Sequence, residues 1–254
     1  MTSENEKERR VVVAVLYATK GGMGDVGKFA ATIALEAPER YDLRAIALSL
    51  EASEGDDIGA DVDVSDEHTQ LYMKRVLECA DIVKIDIGSE SAEQLLSEAL
   101  SGVEAVISCL GNRQPSMARW CSFGTEKLIR AMYAQNVHRL VCLSSFGIGD
   151  DFMRRCTPIT CLWACLLRTC LSSARRDLMA LESVVNESSL DFVLVRSVGL
   201  TPSEPPCRSW HILRSPRDGD LKISIAKADV AAFMLQEAVQ PSIHKDAVTI
   251  GHRK

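Results

Sequence analysis

The stretch that decides the fold runs from residue 11 to residue 28 and reads VVVAVLYATKGGMGDVGK. Its first seven residues, Val11 to Tyr17, are apolar or aromatic, and four of them are valine. Such an unbroken run is typical of a strand that is buried on both faces of a parallel sheet. A glycine cluster follows, and helical spacing then extends from Asp25 to about Glu36. Together the strand, the turn and the helix predict the opening unit of an α/β fold.

The alternation of strands and helices continues along the rest of the chain. Further strands are predicted at 43–50, 81–87, 104–110, 138–144, 191–196 and 247–250, and further helices at 67–80, 91–100, 122–135, 159–188 and 229–240. Loops are predicted at 51–66, which is acidic, and at 201–221, which contains four prolines. We therefore expect a flexible N-terminal tail over residues 1–10 and a single domain over residues 11–254, built on a Rossmann-type, doubly wound, mostly parallel sheet.

Composition and charge narrow the classes of function. The 254 residues include 29 Lys and Arg against 35 Asp and Glu, a net charge of −6. Such a chain lacks the basic field that attracts nucleic acids or anionic membranes, so we expect a small-molecule substrate instead. Nine cysteines occur without a Cys-x-x-Cys pair, which predicts free thiols and no metal site. Because the first ten residues are polar, a soluble cytoplasmic protein is expected, and an organellar location is compatible with the same sequence.

The glycine cluster fits two phosphate-binding patterns. Gly22-x-Gly24-x-x-Gly27 fits the dinucleotide fingerprint, in which the glycines allow a tight turn, a close approach to the pyrophosphate and close packing of helix on strand. The same stretch fits the start of an ATPase P-loop, which ends in glycine and lysine and then requires Ser or Thr to hold Mg²⁺. Here Phe29 follows Lys28. The dinucleotide interpretation is therefore favoured, and a P-loop ATPase stays an alternative.

Polar and glycine residues recur where the predicted strands end. Open α/β sheets bind ligands at the carboxyl ends of their strands, so these positions are candidates for the site. Asp86, Gly111, Ser144 and Ser145 are these polar and glycine residues, at the ends of the third, fourth and fifth predicted strands, and Ile87 and Leu110 are their neighbours there.

These motifs together resemble the atypical short-chain dehydrogenases, and within them the NmrA-like group that includes the biliverdin IXβ/flavin reductases. The resemblance covers about residues 11–250. The segments that carry it are Gly21–Gly27, Asp86-Ile87, Val106–Gly111, Leu143–Gly147, Arg196–Thr201 and Ile225–Met234. In that family the glycine turn usually reads Gly-Ala-Thr-Gly-x-x-Gly directly after the strand. Here Tyr17-Ala18-Thr19-Lys20 intervenes, which predicts a longer turn.

The resemblance implies a set of cofactor-binding residues and favours NADP, with NAD as the alternative. Asp86 is expected beside the adenine ring. Lys20 stands where many members hold a base for the 2′-phosphate, whereas Glu51 after the second strand would repel that group. The implied set is Lys20, Gly21, Gly22, Met23, Gly24, Asp25, Val26 and Gly27 in the glycine loop, with Asp86, Ile87, Leu110 and Gly111 at the strand ends.

The residues available for catalysis differ from those of orthodox short-chain dehydrogenases. Those enzymes use a Tyr-x-x-x-Lys pair on the helix after the fifth strand, but no tyrosine follows residue 144 in this chain. Ser144 and Ser145 are the catalytic candidates, while Arg196 either forms a salt bridge within the fold or faces the pocket. Hydride transfer without a protein acid suits a conjugated acceptor such as a flavin, a quinone or a bilin-like molecule. An NAD(P)H-dependent reductase is therefore predicted, and the alternative is a non-catalytic dinucleotide-binding redox sensor or assembly factor.

Overall fold

Parallel strands separated by helices make up the described part of the chain. The computed structural model describes residues 10–18, 22–49, 82–111, 119–148, 172–202, 210–213 and 224–252. Its strands are β1 (Val11–Ala18), β2 (Tyr41–Ser49), β3 (Ile82–Asp86), β4 (Ala105–Cys109), β5 (Arg139–Ser145), β6 (Asp191–Ser197), β7 (Gly199–Thr201), β8 (His211–Leu213), β9 (Ser224–Ala226) and β10 (Asp246–Gly251). Its helices are α1 (Gly22–Glu36), α2 (Ala92–Ala99), α3 (Trp120–Ala134), α4 (Ser172–Glu187) and α5 (Lys227–Val239).

Eight of the strands form one sheet in the order β3-β2-β1-β4-β5-β6-β10-β8. All neighbouring pairs are parallel except the pair of β10 and β8, which is antiparallel. Two short strands, β7 and β9, pair separately in parallel. Because β1 lies between β2 and β4, the strand order reverses beside β1, and ligands of doubly wound sheets bind at the carboxyl ends of the strands around such a point. This confirms the predicted single-domain Rossmann-type fold.

The apolar run of β1 is explained by helices on both faces of the sheet. Val13, Val15 and Tyr17 pack into one core cluster with α1 and α5. Ala14 and Leu16 point the other way and pack into a second cluster with α2, α3 and α4. All five side chains are fully buried. The strand therefore needs apolar residues at consecutive positions instead of the alternation of a half-exposed strand.

Gly27 sets how closely α1 approaches the sheet. A Cβ atom at this position would overlap the Cβ of Tyr17 and would lie 3.1 Å from the Cβ of Cys109. Both neighbouring atoms are attached directly to strand backbone, so neither can rotate away. The glycine therefore lets the helix rest on β1 and β4, which is the role that the fingerprint assigns to its third glycine.

Most predicted elements are present with shifted ends, and one prediction is wrong in part. Helix α1 begins at Gly22 instead of Asp25, so Gly22 and Gly24 belong to its first turn. The predicted loop at 201–221 contains β8, which pairs with β10, and its first residue is the last residue of β7. Strands of three residues are too short to give a detectable alternation, so local pattern could not predict them.

Several predictions fall on residues outside the described ranges. These are the tail at 1–9, the loop at 51–66, the helix at 67–80 and the first part of the helix at 159–188. Within the described ranges, no helix has the length and apolar character needed to cross a bilayer.

The close packing at Gly27 predicts a large loss of stability in Gly27→Ala. We expect the free energy of unfolding to fall by about 3 kcal/mol, because the added methyl group forces helix and strand apart. Gly124→Ala in α3 is the matched control. Its Cβ would meet the flexible tip of Leu110 at 3.1 Å and Ile87 at an ordinary contact distance of 3.8 Å, so we expect a change within about 1 kcal/mol. Urea denaturation measures both variants, and equal losses would contradict the assigned role of Gly27.

Candidate functional site

Three buried charged side chains lie where α1 and α5 begin. Lys227 Nζ donates to Asp25 Oδ2 at 2.8 Å, and Lys28 Nζ lies 4.0 Å from Asp25 Oδ1. Asp25, Lys28 and Lys227 are only 3%, 2% and 1% exposed. The pair of Asp25 and Lys227 therefore joins the first turn of α1 to the start of α5, 202 residues later in the chain. Asp25 and its buried neighbour Val26 were both predicted to bind the cofactor, and only their backbone is available for such a contact.

The turn after β3 is held by its own side chains and by α3. Asp86 Oδ1 accepts a hydrogen bond from the backbone N–H of Gly88 at 2.9 Å. Lys127 Nζ, from α3, donates to the carbonyl oxygens of Ile87 and Ser89, each at 3.0 Å. These contacts fix the backbone of Asp86 and Ile87 at the carboxyl end of β3. Sequence reasoning missed Lys127, because a lysine on a helix carries no local sign of a partner 40 residues earlier.

Helix α3 also approaches the ends of β3 and β4 closely. A Cβ at Gly124 would lie 3.1 Å from Leu110 Cδ1 and 3.8 Å from Ile87 Cγ1. Leu110, Ile87 and Gly111 are all buried. Two of the predicted binding segments are therefore brought together against one helix, near Gly124.

Ser144, Glu182 and Arg196 form a buried hydrogen-bonded cluster at the ends of β5 and β6. Ser144 Oγ donates to Glu182 Oε1 at 2.6 Å. Arg196 donates to the same carboxylate through Nε at 3.0 Å and Nη2 at 2.7 Å. The side chains of Arg196 and Glu182 are 11% and 7% exposed. Arg196 therefore forms the salt bridge within the fold, and the proton of Ser144 is committed to Glu182.

Glu182 also affects a neighbouring thiol on β5. Burial raises the pKa of Cys142 to about 12, and the negative charge of Glu182 adds to the shift. The thiol therefore stays protonated at neutral pH and is a poor nucleophile. Burial likewise raises the pKa of Cys109 on β4.

Ser145 differs from Ser144 in its access to solvent. Ser144 is fully buried, whereas Ser145 is partly exposed. Ser145 Oγ donates to the carbonyl oxygen of Phe146 at 3.3 Å. Of the two predicted catalytic serines, Ser145 is the one whose hydroxyl a ligand can reach.

The helix that carries the catalytic tyrosine in orthodox short-chain dehydrogenases has structural acids here. Asp177 on α4 accepts hydrogen bonds from the backbone N–H groups of Cys121 at 2.7 Å and Ser122 at 2.9 Å. It thereby caps the N-terminus of α3 from another helix. Asp177 and Glu182 therefore hold the elements around the strand ends in place, and neither was predicted as a site residue.

A separate groove lies at the opposite end of the sheet. It encloses about 190 Å³ between the end of α1, the start of β2 and the C-terminal half of α5. Trp210, on its wall, meets the ring of Phe233 edge-on at 5.7 Å between centroids. The groove is lined by Ile33, Arg40, Tyr41, Trp210, Ala232, Leu235, Gln236, Val239 and Gln240, none of which is a predicted site residue.

The residues at the carboxyl ends of the strands fit a dinucleotide. Close packing at Gly27 places the N-terminal end of α1 beside β1 and β4. The first backbone N–H groups of a helix have no partner within the helix and can bind phosphate. The ends of β3 and β4 supply a fixed backbone and buried apolar side chains at Ile87 and Leu110. Lys28, which a P-loop would aim at phosphates, is buried beside Asp25. The geometry therefore favours the dinucleotide interpretation over the P-loop. Lys20 and Gly21 lie outside the described residues.

Comparisons with known sequences agree with this geometry. A family model described as NAD(P)H-binding matches residues 73–241, more than half of the chain. The match begins after the glycine loop, in which this sequence departs from the usual pattern. No curated protein matches the chain by sequence.

Solved structures share the fold over nearly the whole chain. A short-chain dehydrogenase/reductase from Veillonella parvula, solved with NADP, is 14% identical with a TM-score of 0.64, covering 96% of this chain and 95% of its own. The anaerobilin reductase ChuY from Escherichia coli O157:H7 is 17% identical with a TM-score of 0.63, covering 95% and 97%. A proposed NADH-flavin reductase from Streptococcus pneumoniae is 15% identical with a TM-score of 0.60, covering 96% and 100%. At these identities the similarity establishes the fold.

The buried cluster predicts a graded loss of stability. Glu182→Gln keeps an acceptor for Ser144 but removes the carboxylate charge that faces the guanidinium of Arg196, so we expect a loss of about 3 kcal/mol in the free energy of unfolding. Ser144→Ala removes one hydrogen bond to a charged group and should cost about 1.5 kcal/mol. Ser145→Ala is the control and should change stability by less than about 0.5 kcal/mol. A Glu182→Gln variant as stable as this control, by urea denaturation, would show that the cluster is not a structural unit.

Proposed function

Since the chain belongs to the NAD(P)H-binding family whose model it matches, we propose that it is an NAD(P)H-dependent reductase. Its substrate is a small conjugated acceptor such as a flavin, a quinone or a bilin-like molecule. The bound nicotinamide supplies the hydride in this chemistry, and the protein supplies binding and orientation.

The cluster of Ser144, Glu182 and Arg196 is the observation that carries this proposal. In an alcohol–ketone reaction a side chain must exchange a proton with the substrate oxygen. Here the Ser144 proton is held by Glu182, whose carboxylate is paired with Arg196. A guanidinium remains protonated and does not act as an acid. This arrangement supports acceptors that take hydride and then receive their proton from solvent.

The residues assigned to the cofactor follow the ends of the strands. The backbone N–H groups of the first turn of α1, including that of Gly24, hold the pyrophosphate. Asp86 and Ile87 bind the adenosine half, and Leu110 and Gly111 border the cofactor where β4 ends. We assign NADP as the preferred cofactor through Lys20, with NAD as the alternative. The Veillonella parvula structure, which was solved in complex with NADP, supports that assignment by analogy of fold.

The two serines have different roles in this proposal. Ser145, which is partly exposed, contacts the nicotinamide or the acceptor. Ser144 is fully buried and acts through its neighbours, because its hydrogen bond to Glu182 ties the end of β5 to α4. We propose a conjugated acceptor because such an acceptor can receive its proton from solvent. The anaerobilin reductase with this fold supports that class of acceptor by analogy.

A non-catalytic dinucleotide-binding function is the second candidate. The burial of Ser144 favours it, because that serine cannot touch a bound acceptor directly. A redox sensor needs to bind the dinucleotide and does not need an acceptor site. Both candidates therefore require dinucleotide binding, and only the reductase requires turnover of an acceptor.

Oxidation of NADPH and NADH in the presence of FMN, a quinone or biliverdin tests the reductase proposal. We expect steady consumption with at least one acceptor, measured as loss of reduced-nicotinamide absorbance. Gly24→Val should weaken NADPH binding by on the order of tenfold or more, because its side chain obstructs the approach of the pyrophosphate. Circular dichroism of the variant controls for folding.

Three outcomes discriminate between the candidates. Turnover whose apparent KM for NADPH rises in Gly24→Val supports the reductase. Tight NADPH binding without turnover for any acceptor contradicts the reductase and favours the sensor. Unchanged NADPH affinity in a folded Gly24→Val protein would contradict the assignment of the glycine helix to the cofactor.

A further inference from the structure

Helix α1 carries an acid in its first turn, at the end where the proposed site would bind the negatively charged phosphates of a dinucleotide. Asp25 directly follows Gly24, the glycine of the fingerprint that lies against the pyrophosphate. A carboxylate near a helix N-terminus stabilises the helix, because it interacts with the positive end of the helix dipole. The same positive end attracts the phosphates of a dinucleotide. An unpaired Asp25 would therefore compete with the ligand and repel it.

Lys227, which lies 202 residues later in the sequence, is paired with this acid. Its Nζ donates to Asp25 Oδ2 at 2.8 Å, and both side chains are almost completely buried. Lys227 is the first residue of α5, so its backbone position is set by that helix and by β9 before it. Lys28 lies on the same helix as Asp25, with its Nζ 4.0 Å from Oδ1. The carboxylate thus lies between two lysines in a region of low effective dielectric constant, where each charge acts strongly on its neighbours.

Resting on the proposed dinucleotide site, we infer that Lys227 is a positioning residue for the cofactor. It neutralises Asp25 and holds that carboxylate against α5, so that the N-terminal end of α1 can receive the pyrophosphate. Asp25 in turn lowers the affinity for the dinucleotide below what the helix would provide without an acid. The pair therefore sets the charge of the phosphate site and couples it to the position of α5.

This electrostatic role makes a different prediction from a purely structural clamp. If the pair acts through charge, its two halves have opposite effects on affinity. Removing the positive charge of Lys227 weakens binding, removing the negative charge of Asp25 strengthens it, and removing both restores binding close to the original value. If the pair only clamps two helices together, both single variants lose affinity together with stability.

Isothermal titration calorimetry with NADPH on the full chain distinguishes these roles. We expect Lys227→Met to weaken binding by on the order of tenfold and Asp25→Asn to strengthen it several-fold, at about physiological ionic strength. The double variant Asp25→Asn/Lys227→Met should bind within about threefold of the unmodified protein. Lys227→Arg keeps the charge and should bind like the unmodified protein.

Glu237→Gln is the matched control. It breaks another buried ion pair, in which Arg139 Nη2 lies 3.2 Å from Glu237 Oε2, and Arg139 begins β5 at the opposite end of that strand from the site. This variant should lower stability in thermal denaturation and leave the NADPH affinity unchanged. If Lys227→Met does not fold, Asp25→Asn alone decides the question through the direction of its effect.

Weaker NADPH binding by Asp25→Asn, or an affinity that none of the folded variants changes, would overturn the inference. Failure of the unmodified protein to bind either NADPH or NADH would overturn both this inference and the dinucleotide site. Binding without turnover would contradict the reductase proposal alone, and the pattern of the variants would still decide the role of Lys227.

Discussion

The contact between α1 and β1 at Gly27 is the constraint on which the arrangement of the site depends. A side chain at this position would collide with the Cβ of Tyr17, so the helix rests on the strand only because the glycine has no Cβ. The helix is thereby fixed along the centre of the sheet, with its N-terminal end at the point where the strand order reverses. Asp25, two residues earlier in the same helix, then reaches Lys227 on α5. A displaced helix would lose both the phosphate-binding end and this ion pair.

Tyr17 gives the same region an unusual core. Tyr17, next to the last residue of β1, is fully buried and packs with residues of α1 and α5. Within the described residues its hydroxyl has no hydrogen-bond partner, and burial raises its pKa far above the ordinary value. The phenol is therefore neutral and acts as an apolar filler. It is not available as the proton donor that orthodox relatives use.

The features that sequence could predict are those that local pattern encodes. Each of these features, namely the apolar run of β1, the glycine motif and the polar strand ends, is a pattern of a few consecutive residues. The structure has the predicted strand, helix and parallel sheet. The contacts that shape the site join distant segments instead. Asp25 meets Lys227 across 202 residues, Lys127 meets Ile87 across 40, and Asp177 meets Cys121 across 56. A pattern in one segment does not specify which distant segment it will contact.

Amide hydrogen–deuterium exchange with and without NADPH tests the central claim most directly, namely that the dinucleotide lies across the carboxyl ends of the strands against the N-terminal end of α1. We expect slower exchange in peptides that contain Gly22–Asp25, Gly88 and Gly111, because the ligand covers these backbone groups. Peptides around Tyr41 and Gln240, at the groove on the opposite end of the sheet, should exchange at unchanged rates. Protection confined to that groove, with none at the start of α1, would contradict the account.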